Sequence, residues 1–352
     1  MTETTDALAQ YFKNVYPHLC IPDSRFLSSK QGLVNTSRVI VLLFLPIQLL
    51  TAYCILKKTP ENMKNIKGSI NNLNFWCMVS SIIFAFFACP YSFHPYKIGF
   101  TIGLLADWGV PTNIQFYIDY IINIVVTMSI TILFENRSSL IARNRFRIKT
   151  TAHRFIWILL NILWFMTIIL PPAFNKPDQM EAKMLVLNTC PCPTTEFFSE
   201  KLFASAKDGF WNAYLNMNGL VVFLGFTIQA VFFACCCIYY LFISTSSHVS
   251  PQTRRLQIRA FFGVVIQTMI PILLLSIPIM IFMSSRKNEG SYDQVQNNLM
   301  IITVSIQDGA TSLSILLVHH PYRSFVKSIF CCKKTNKSLQ TVHVVTDSFI
   351  NT

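Results

Sequence analysis

The fold is decided by residues 111–137, which read PTNIQFYIDYIINIVVTMSITILFENR. Residues 111–133 are mostly apolar and long enough to cross a bilayer as one helix. Polar residues recur at every fourth position, namely Gln115, Asp119, Asn123, Thr127, Thr131 and Glu135. Each four-residue step turns about 40° past a full helical turn, so Gln115, Asp119 and Asn123 share one face near one end. We predict a central membrane helix with a cavity-lining end and a charged end.

Two acidic residues are predicted to be buried within membrane spans. A carboxylate in a membrane helix costs about 2.5–3.5 kcal/mol on insertion scales, so Asp119 should face other helices or a wet cavity. Asp308, which follows Gln307 in a later apolar segment, is the second. It is expected to bind a cation or to hydrogen-bond to Asn72 or Asn74.

The composition indicates a membrane protein. The chain has 352 residues, of which 52% are hydrophobic and 13% charged, and its mean hydropathy is +0.45. Its net charge of +13 is spread between apolar spans and not gathered in one patch, which argues against a nucleic-acid partner. Residues 1–32 hold no continuous apolar run, so the first span should act as the insertion signal. The sequence shows no zinc spacing and no catalytic motif, so we expect no metal, no cofactor and no enzyme activity.

Seven apolar segments predict an all-α, polytopic membrane protein with a seven-transmembrane helix bundle. Their approximate limits are 34–56, 73–93, 111–134, 155–174, 212–243, 260–283 and 298–318. The chain then divides into an extracellular segment 1–33, a seven-transmembrane domain 34–320 and a cytoplasmic tail 321–352. Prolines inside spans should bend them, as expected at Pro46, Pro271 and Pro278.

The distribution of lysine and arginine predicts the orientation. The connections 57–72, 135–154 and 244–259, with the tail 319–352, hold 18 of these residues, whereas the opposite set holds 10. The N-terminus is therefore expected outside and the C-terminus inside, which is the plan of a G-protein-coupled receptor.

The tail also contains features of a membrane-surface helix. A basic, amphipathic stretch follows the seventh span and ends at Cys331 and Cys332, which is typical of an interfacial helix with palmitoylation sites. Unmodified cytosolic thiols are the alternative.

Motifs along nearly the whole chain resemble one family. The seventh span closes with His320-Pro321-Tyr322-Arg323, in the way of nematode serpentine chemoreceptors of the Str superfamily, and class H is the most similar. Further matches include Pro46-Ile47-Gln48, Lys58-Thr59-Pro60, Phe75-Trp76, Val110-Pro111-Thr112, Phe134-Glu135-Asn136-Arg137, Pro177-Asp178-Gln179, Pro191-Cys192-Pro193 and Ile270-Pro271. The chain departs at Gln48, where the family usually has histidine. The Asp-Arg-Tyr and Asn-Pro-x-x-Tyr motifs of rhodopsin-like receptors are absent from the sequence.

The resemblance implies a chemosensory G-protein-coupled receptor in the plasma membrane of a sensory neuron cilium. Its partners would be a small-molecule ligand, a heterotrimeric G protein and membrane lipids. We expect the ligand pocket to be lined by Gln115, Asp119, Asn123, Gln267 and Gln296. The cytoplasmic switch would comprise Glu135, Asn136, Arg137, Pro321, Tyr322 and Arg323. Pro271 would be a gating hinge, or alternatively a static kink.

The resemblance also places two cysteines in family-like contexts outside the membrane. Cys20 precedes Pro22-Asp23, and Cys192 lies between Pro191 and Pro193. We expect these two to form a disulfide, because the outside is oxidising, with Cys190 as the alternative partner for Cys20.

Two other classes of protein remain as alternatives. A ligand-gated cation channel of the seven-helix odorant-receptor type would have an inside N-terminus, which the charge count opposes. A transporter would be expected to show internal repeats, and the odd number of spans opposes that.

Overall fold

A computed structural model describes residues 7–174, 177–205, 209–243, 261–270 and 292–330, with 252, 254, 255, 258, 273 and 274. Among them, six helices are long and apolar enough to cross a membrane. We number these α1 (Lys30–Lys57), α2 (Lys64–Phe87), α3 (Thr112–Ser139), α4 (Thr151–Phe174), α5 (Gly209–Ile243) and α7 (Gln294–Val318). The shorter apolar helix Phe261–Ile270 lies in the sixth predicted span and is α6. The amphipathic helix α8 (His320–Phe330) follows α7.

The ends of these helices follow from local sequence. Ser29 caps α1, where its Oγ accepts a hydrogen bond from the Gly32 amide at 3.0 Å. Asp293 caps α7 in the same way, accepting from the Val295 amide at 3.0 Å. Pro111 is the N-cap residue of α3 and immediately precedes its first residue. Pro46 lies inside α1, as predicted.

The helix α7 is the most enclosed of the spans. It packs along both α1 and α2, whereas α2 packs on α3 and α3 packs on α5. Within the most apolar window of each helix, 56% of α7 is buried against 39% of α3 and 17% of α4. A glycine permits this close packing, because a Cβ at Gly309 would lie only 2.1 Å from the Phe44 ring of α1. The enclosed centre of the bundle is therefore α7, although the sequence pattern favoured α3.

A small sheet covers one end of the bundle. Strands β1 (Cys89–Phe93), β2 (Ile98–Ile102) and β3 (Phe203–Ala204) are antiparallel in the order β1-β2-β3. The segments 7–29, 88–103 and 177–205 together form what we term the cap. The cap includes a helix, Gln179–Thr189, whose Asp178 N-cap accepts from the Met180 amide at 2.9 Å.

The second span ends earlier than predicted. The sequence pattern ran it to residue 93, but the helix ends at Phe87 and the next residues form β1. Pro90 has no N–H to continue a helix, and the strand bonds to β2 satisfy the backbone of its neighbours instead. The limits of the other described spans differ from the predicted ones by a few residues at their ends.

Aromatic side chains fill the core of the cap. Tyr91, Phe93 and Phe197 are fully buried there, and the Tyr91 hydroxyl donates to the Ser28 carbonyl at 2.6 Å. Burial raises the pKa of the Tyr91 hydroxyl above its usual value, so it stays a neutral donor. Because these contacts join residues from all three segments of the cap, they hold the cap together as one layer.

The cap is also tied to α7. The Asn298 side chain donates from Nδ2 to the Leu27 carbonyl at 2.7 Å. The Arg25 guanidinium contacts Asp293 at the start of α7, also at 2.7 Å. The cap therefore lies against the first turns of α7. We name this end of the bundle the cap end, and the opposite end, where α8 begins, the tail end.

The predicted disulfide is confirmed. Cys20 and Cys192 are bonded, with their Cα atoms 5.3 Å apart. Cys190, the alternative partner, is a free and buried thiol. Burial raises the pKa of the Cys190 thiol to about 11, so it is protonated at neutral pH and a poor nucleophile toward the neighbouring disulfide.

Candidate functional site

Two ends of one helix carry the candidate site residues. The helix α3 is 28 residues long, and it begins beneath the cap and ends beside α4 and α8. At the cap end it presents Gln115 and Asp119, and at the tail end it presents Glu135, Asn136 and Arg137.

Gln115 joins α3 to the cap. Its side chain is buried, its Nε2 donates to the Val110 carbonyl at 2.7 Å, and its Oε1 accepts from Thr101 of β2 at 2.7 Å. The amide is therefore largely engaged within the protein. Its contacts fix the position of the first turn of α3, and Asp119 lies one turn further along.

Asp119 is a buried acid without a partner. Its side chain is only 5% exposed, and neither carboxylate oxygen has a hydrogen-bond partner among the described residues. Only its backbone carbonyl is engaged, accepting from the Asn123 side chain at 2.9 Å. A buried charge normally has a partner, so these two oxygens, like the buried Tyr117 hydroxyl nearby, are unmatched polar atoms at the cap end of α3 among the described residues.

The other predicted pocket residues do not join Asp119. Asn123 and Gln296 are exposed. Gln267 is fully buried but lies near the tail end, where its Oε1 is 3.2 Å from Nε2 of His319. The structure therefore brings Gln115 and Asp119 together and does not bring the five residues into one cluster.

At the tail end, Glu135 pairs with a residue that sequence reasoning missed. The Glu135 side chain is completely buried, and it forms an ion pair with Arg154 in the first turn of α4. It also accepts a hydrogen bond from Ser139 Oγ at 2.7 Å. The sequence could not single out Arg154 as the partner of Glu135, because it is one of six lysine and arginine residues between positions 135 and 154.

Asn136 connects α3 to α2. Its Nδ2 donates to the Asn65 carbonyl at 3.1 Å and to Ser69 Oγ at 2.9 Å. Together with the Glu135 pair, these contacts hold the end of α3 against two neighbouring helices.

Arg137 is the unmatched cation of the tail end. Its Nε and Nη2 atoms are buried, and neither has a hydrogen-bond partner among the described residues. Its charge acts on Cys237 of α5 and on Tyr322 of α8. The guanidinium therefore lies among three helices with donors that the described part of the protein leaves unused.

The motif at the start of α8 supports this end of the bundle. Pro321 lies in the first turn of α8, where proline is tolerated, and the Tyr322 side chain is fully buried. The Tyr322 hydroxyl is 2.8 Å from Thr59 Oγ1, which joins α8 to the end of α1. Arg323 is exposed and donates to the Leu317 carbonyl at 3.3 Å. Pro271, Cys331 and Cys332 lie outside the described residues.

The fold and the two ends of α3 define a multi-pass membrane protein of the seven-helix receptor class. Residues 28–332 match the model of the family described as serpentine type 7TM GPCR chemoreceptor Srh. The chain is also 44% identical over 328 residues to serpentine receptor class H-72 of Caenorhabditis elegans, covering 93% of this chain and 94% of that protein. The chain belongs to the Srh family of serpentine chemoreceptors, which is a family of receptors and not of enzymes.

Proposed function

We propose that this chemoreceptor binds a small molecule beneath the cap and activates a heterotrimeric G protein at the tail end. The observation that carries the proposal is that α3 bears an unmatched buried charge at each end. Within the described part of the chain, Asp119 offers two free acceptors and Arg137 offers free donors. Because the two groups share one helix, a movement of α3 at one end can reach the other.

Asp119 indicates the chemistry of the ligand. An ionised carboxylate that is removed from water is costly unless a donor or a cation reaches it. A ligand with an ammonium group or with several N–H or O–H donors would supply that partner. Gln115 holds the adjacent turn in place, so the carboxylate would be positioned before the ligand arrives.

Arg137 indicates what the tail end binds. A buried guanidinium with unused N–H groups is suited to carbonyl or carboxylate acceptors of a partner protein. Glu135 is held by Arg154, so it does not satisfy Arg137. The end of a G-protein α subunit that inserts between α3, α5 and α8 would offer such acceptors.

This function requires the cap outside and the tail inside, with the protein in the plasma membrane, as the family resemblance implies for a sensory neuron cilium. The charge count supports that orientation. An epitope tag at the N-terminus should be stained on intact cells, whereas one at the C-terminus should need permeabilisation. A C-terminal tag that is visible on intact cells would contradict the receptor function.

Variants at the two ends of α3 should separate binding from coupling. After a panel of volatile and soluble metabolites has identified an agonist through calcium or cyclic-nucleotide signals, Asp119→Asn should raise its half-maximal concentration roughly 10- to 150-fold, because a hydrogen bond to a charged group is lost. Arg137→Ala should abolish the signal at an unchanged surface level. The controls are Asp107→Asn and Arg145→Ala, since both residues are exposed. A normal dose response in Asp119→Asn, or normal signalling in Arg137→Ala, would contradict the assigned role.

A further inference from the structure

Unused hydrogen-bond donors from two helices lie close together at the tail end. Nε and Nη2 of Arg137 are buried without a hydrogen-bond partner among the described residues, and so is Nε2 of Gln267 in α6, whose side chain is fully buried. His319 links the two residues, since its Nε2 is 3.2 Å from Gln267 Oε1 and the Arg137 charge acts on its ring. This part of the structure therefore holds three buried donors that need acceptors.

The described carboxylates of the tail end are engaged elsewhere. Glu135 is paired with Arg154, and Glu61 is 83% exposed and paired with Lys64. The connections and the tail predicted at this end hold 18 lysine and arginine residues, but only three acids, Glu61, Glu135 and Asp347. A buried guanidinium is costly without an opposite charge, and the surrounding positive charge attracts anions from solution.

The two unused Arg137 donors have a fixed relative geometry. The Nε–H bond and one Nη2–H bond of a guanidinium point in parallel along one edge, and this fork matches the two oxygens of a carboxylate. Oε1 of Gln267 can only accept, so it receives the proton of His319 Nε2, and the amide nitrogen is left to donate to an anion.

The charge and the exposure of Arg137 limit the kind of anion. Because Arg137 supplies one unit of positive charge, a monovalent anion gives a neutral site, whereas a phosphate dianion would leave a net charge in a low-dielectric region. Arg137 is partly exposed as a residue, although its Nε and Nη2 atoms are buried, so a small ion can reach the fork from the aqueous side. The side chains of Cys237 and Tyr322 flank the guanidinium, since its charge acts on both.

We propose that the region between α3, α6 and the start of α8 binds a small monocarboxylate through Arg137 Nε and Nη2 and Gln267 Nε2. The ion neutralises the end of α3 while no partner protein is bound there. A partner whose acceptors bind Arg137 has to displace the ion, so its occupancy opposes coupling. The binding itself does not rest on the proposed function, because it requires neither an agonist nor a G protein.

Formate, the smallest carboxylate, is the probe for the full-length receptor. Purified protein in lipid nanodiscs should bind ¹⁴C-formate in a scintillation proximity assay, and unlabelled formate should displace it, whereas chloride at the same concentration should not. The thermal unfolding midpoint, followed by tryptophan fluorescence, should rise by about 2 °C or more when sodium formate replaces NaCl at equal ionic strength. Arg137→Gln should abolish both effects. Arg145→Gln, at an exposed position of the following connection, should keep both.

Gln267→Glu supplies the missing negative charge from within the protein. Glutamate keeps an oxygen for His319 and places a second oxygen where the unused amide nitrogen lies. The variant should therefore unfold at a higher temperature than the wild type in NaCl, and formate should no longer shift its midpoint. Formate binding that survives in Arg137→Gln, or that is unchanged in Gln267→Glu, would overturn the proposal. A wild-type receptor that binds no ¹⁴C-formate, or that releases it equally well to chloride, would also overturn it.

Discussion

Cys192→Ser should remove the receptor from the cell surface and lower the free energy of unfolding by about 3–5 kcal/mol. The disulfide joins positions 172 residues apart in the sequence. In the chain-entropy account, closing a loop of this length removes a large part of the freedom of the unfolded chain. The N-terminal segment would then be held on the cap by noncovalent contacts alone.

Two hydrogen bonds flank the cross-link directly. The hydroxyl of Tyr11 donates to the Pro191 carbonyl at 2.9 Å, and that of Tyr16 donates to the Pro193 carbonyl at 2.7 Å. Both acceptors flank Cys192, so their positions depend on the cross-link. Each hydrogen bond is worth about 1 kcal/mol net, which does not replace the disulfide.

Three further variants test this prediction. Cys20→Ser should have the same effect as Cys192→Ser, and the double variant should lose no more than either single one, because the same bond is removed. Cys190→Ser should keep the surface level and the unfolding midpoint, since its thiol is free. Flow cytometry of tagged receptor and thermal unfolding of purified protein measure the two quantities. A Cys190→Ser variant that is as damaged as Cys192→Ser would contradict the pairing.

The helices could be predicted from the sequence, but the sheet could not. Membrane spans depend on a local property, since about twenty apolar residues in a row must be helical to satisfy their backbone in lipid. Strand β1 depends on a partner, because Cys89–Phe93 is stabilised by pairing with Ile98–Ile102. Four of the five residues in β1 and in β2 are buried, so the polar–apolar alternation that would have revealed a strand is absent.

Burial of Asp119 could be predicted, but its neighbours could not. A single costly carboxylate in a span must face the interior, and this follows from the position of the residue alone. The location of Gln267 depends on where α6 meets α7, which no local pattern specifies. Asn123 was placed on the same face by helical geometry, but it is exposed because each four-residue step rotates it away from Asp119.

The partner of Glu135 could not be predicted from the sequence either. Acid and base are 19 residues apart, and the intervening loop decides which arginine reaches the carboxylate. Asn144 fixes that loop by donating to Ser138 Oγ at 2.7 Å, and the Ile148 amide donates to Ser139 Oγ at 3.3 Å. These bonds bring the start of α4 back beside the end of α3, and they depend on folded geometry.

Arg154→Ala should therefore destabilise the receptor by about 3 kcal/mol and raise its basal signalling. Removing the arginine leaves the Glu135 carboxylate, which is completely buried, without its opposite charge, and such a loss typically costs 3–5 kcal/mol. The lower end of that range applies, because 33% of the Arg154 side chain is exposed and water can partly replace it. In the proposed function, an end of α3 that is no longer tied to α4 reaches the signalling arrangement more easily.

A double-variant cycle separates the ion pair from simple loss of packing. Glu135→Gln should cost only about 1–2 kcal/mol, because the neutral amide can still accept from Ser139 and the Arg154 side chain, which is 33% exposed, can still reach water. Glu135→Gln with Arg154→Ala should be more stable than Arg154→Ala alone, since the second change removes the uncompensated carboxylate. Arg154→Lys keeps the charge and should lie near the wild type. Thermal unfolding and basal cyclic-nucleotide levels at equal surface expression give the two readouts. Equal stability of Arg154→Ala and Arg154→Lys would show that the charge of Arg154 does not stabilise this end of α3, and the pair could then not restrain its movement.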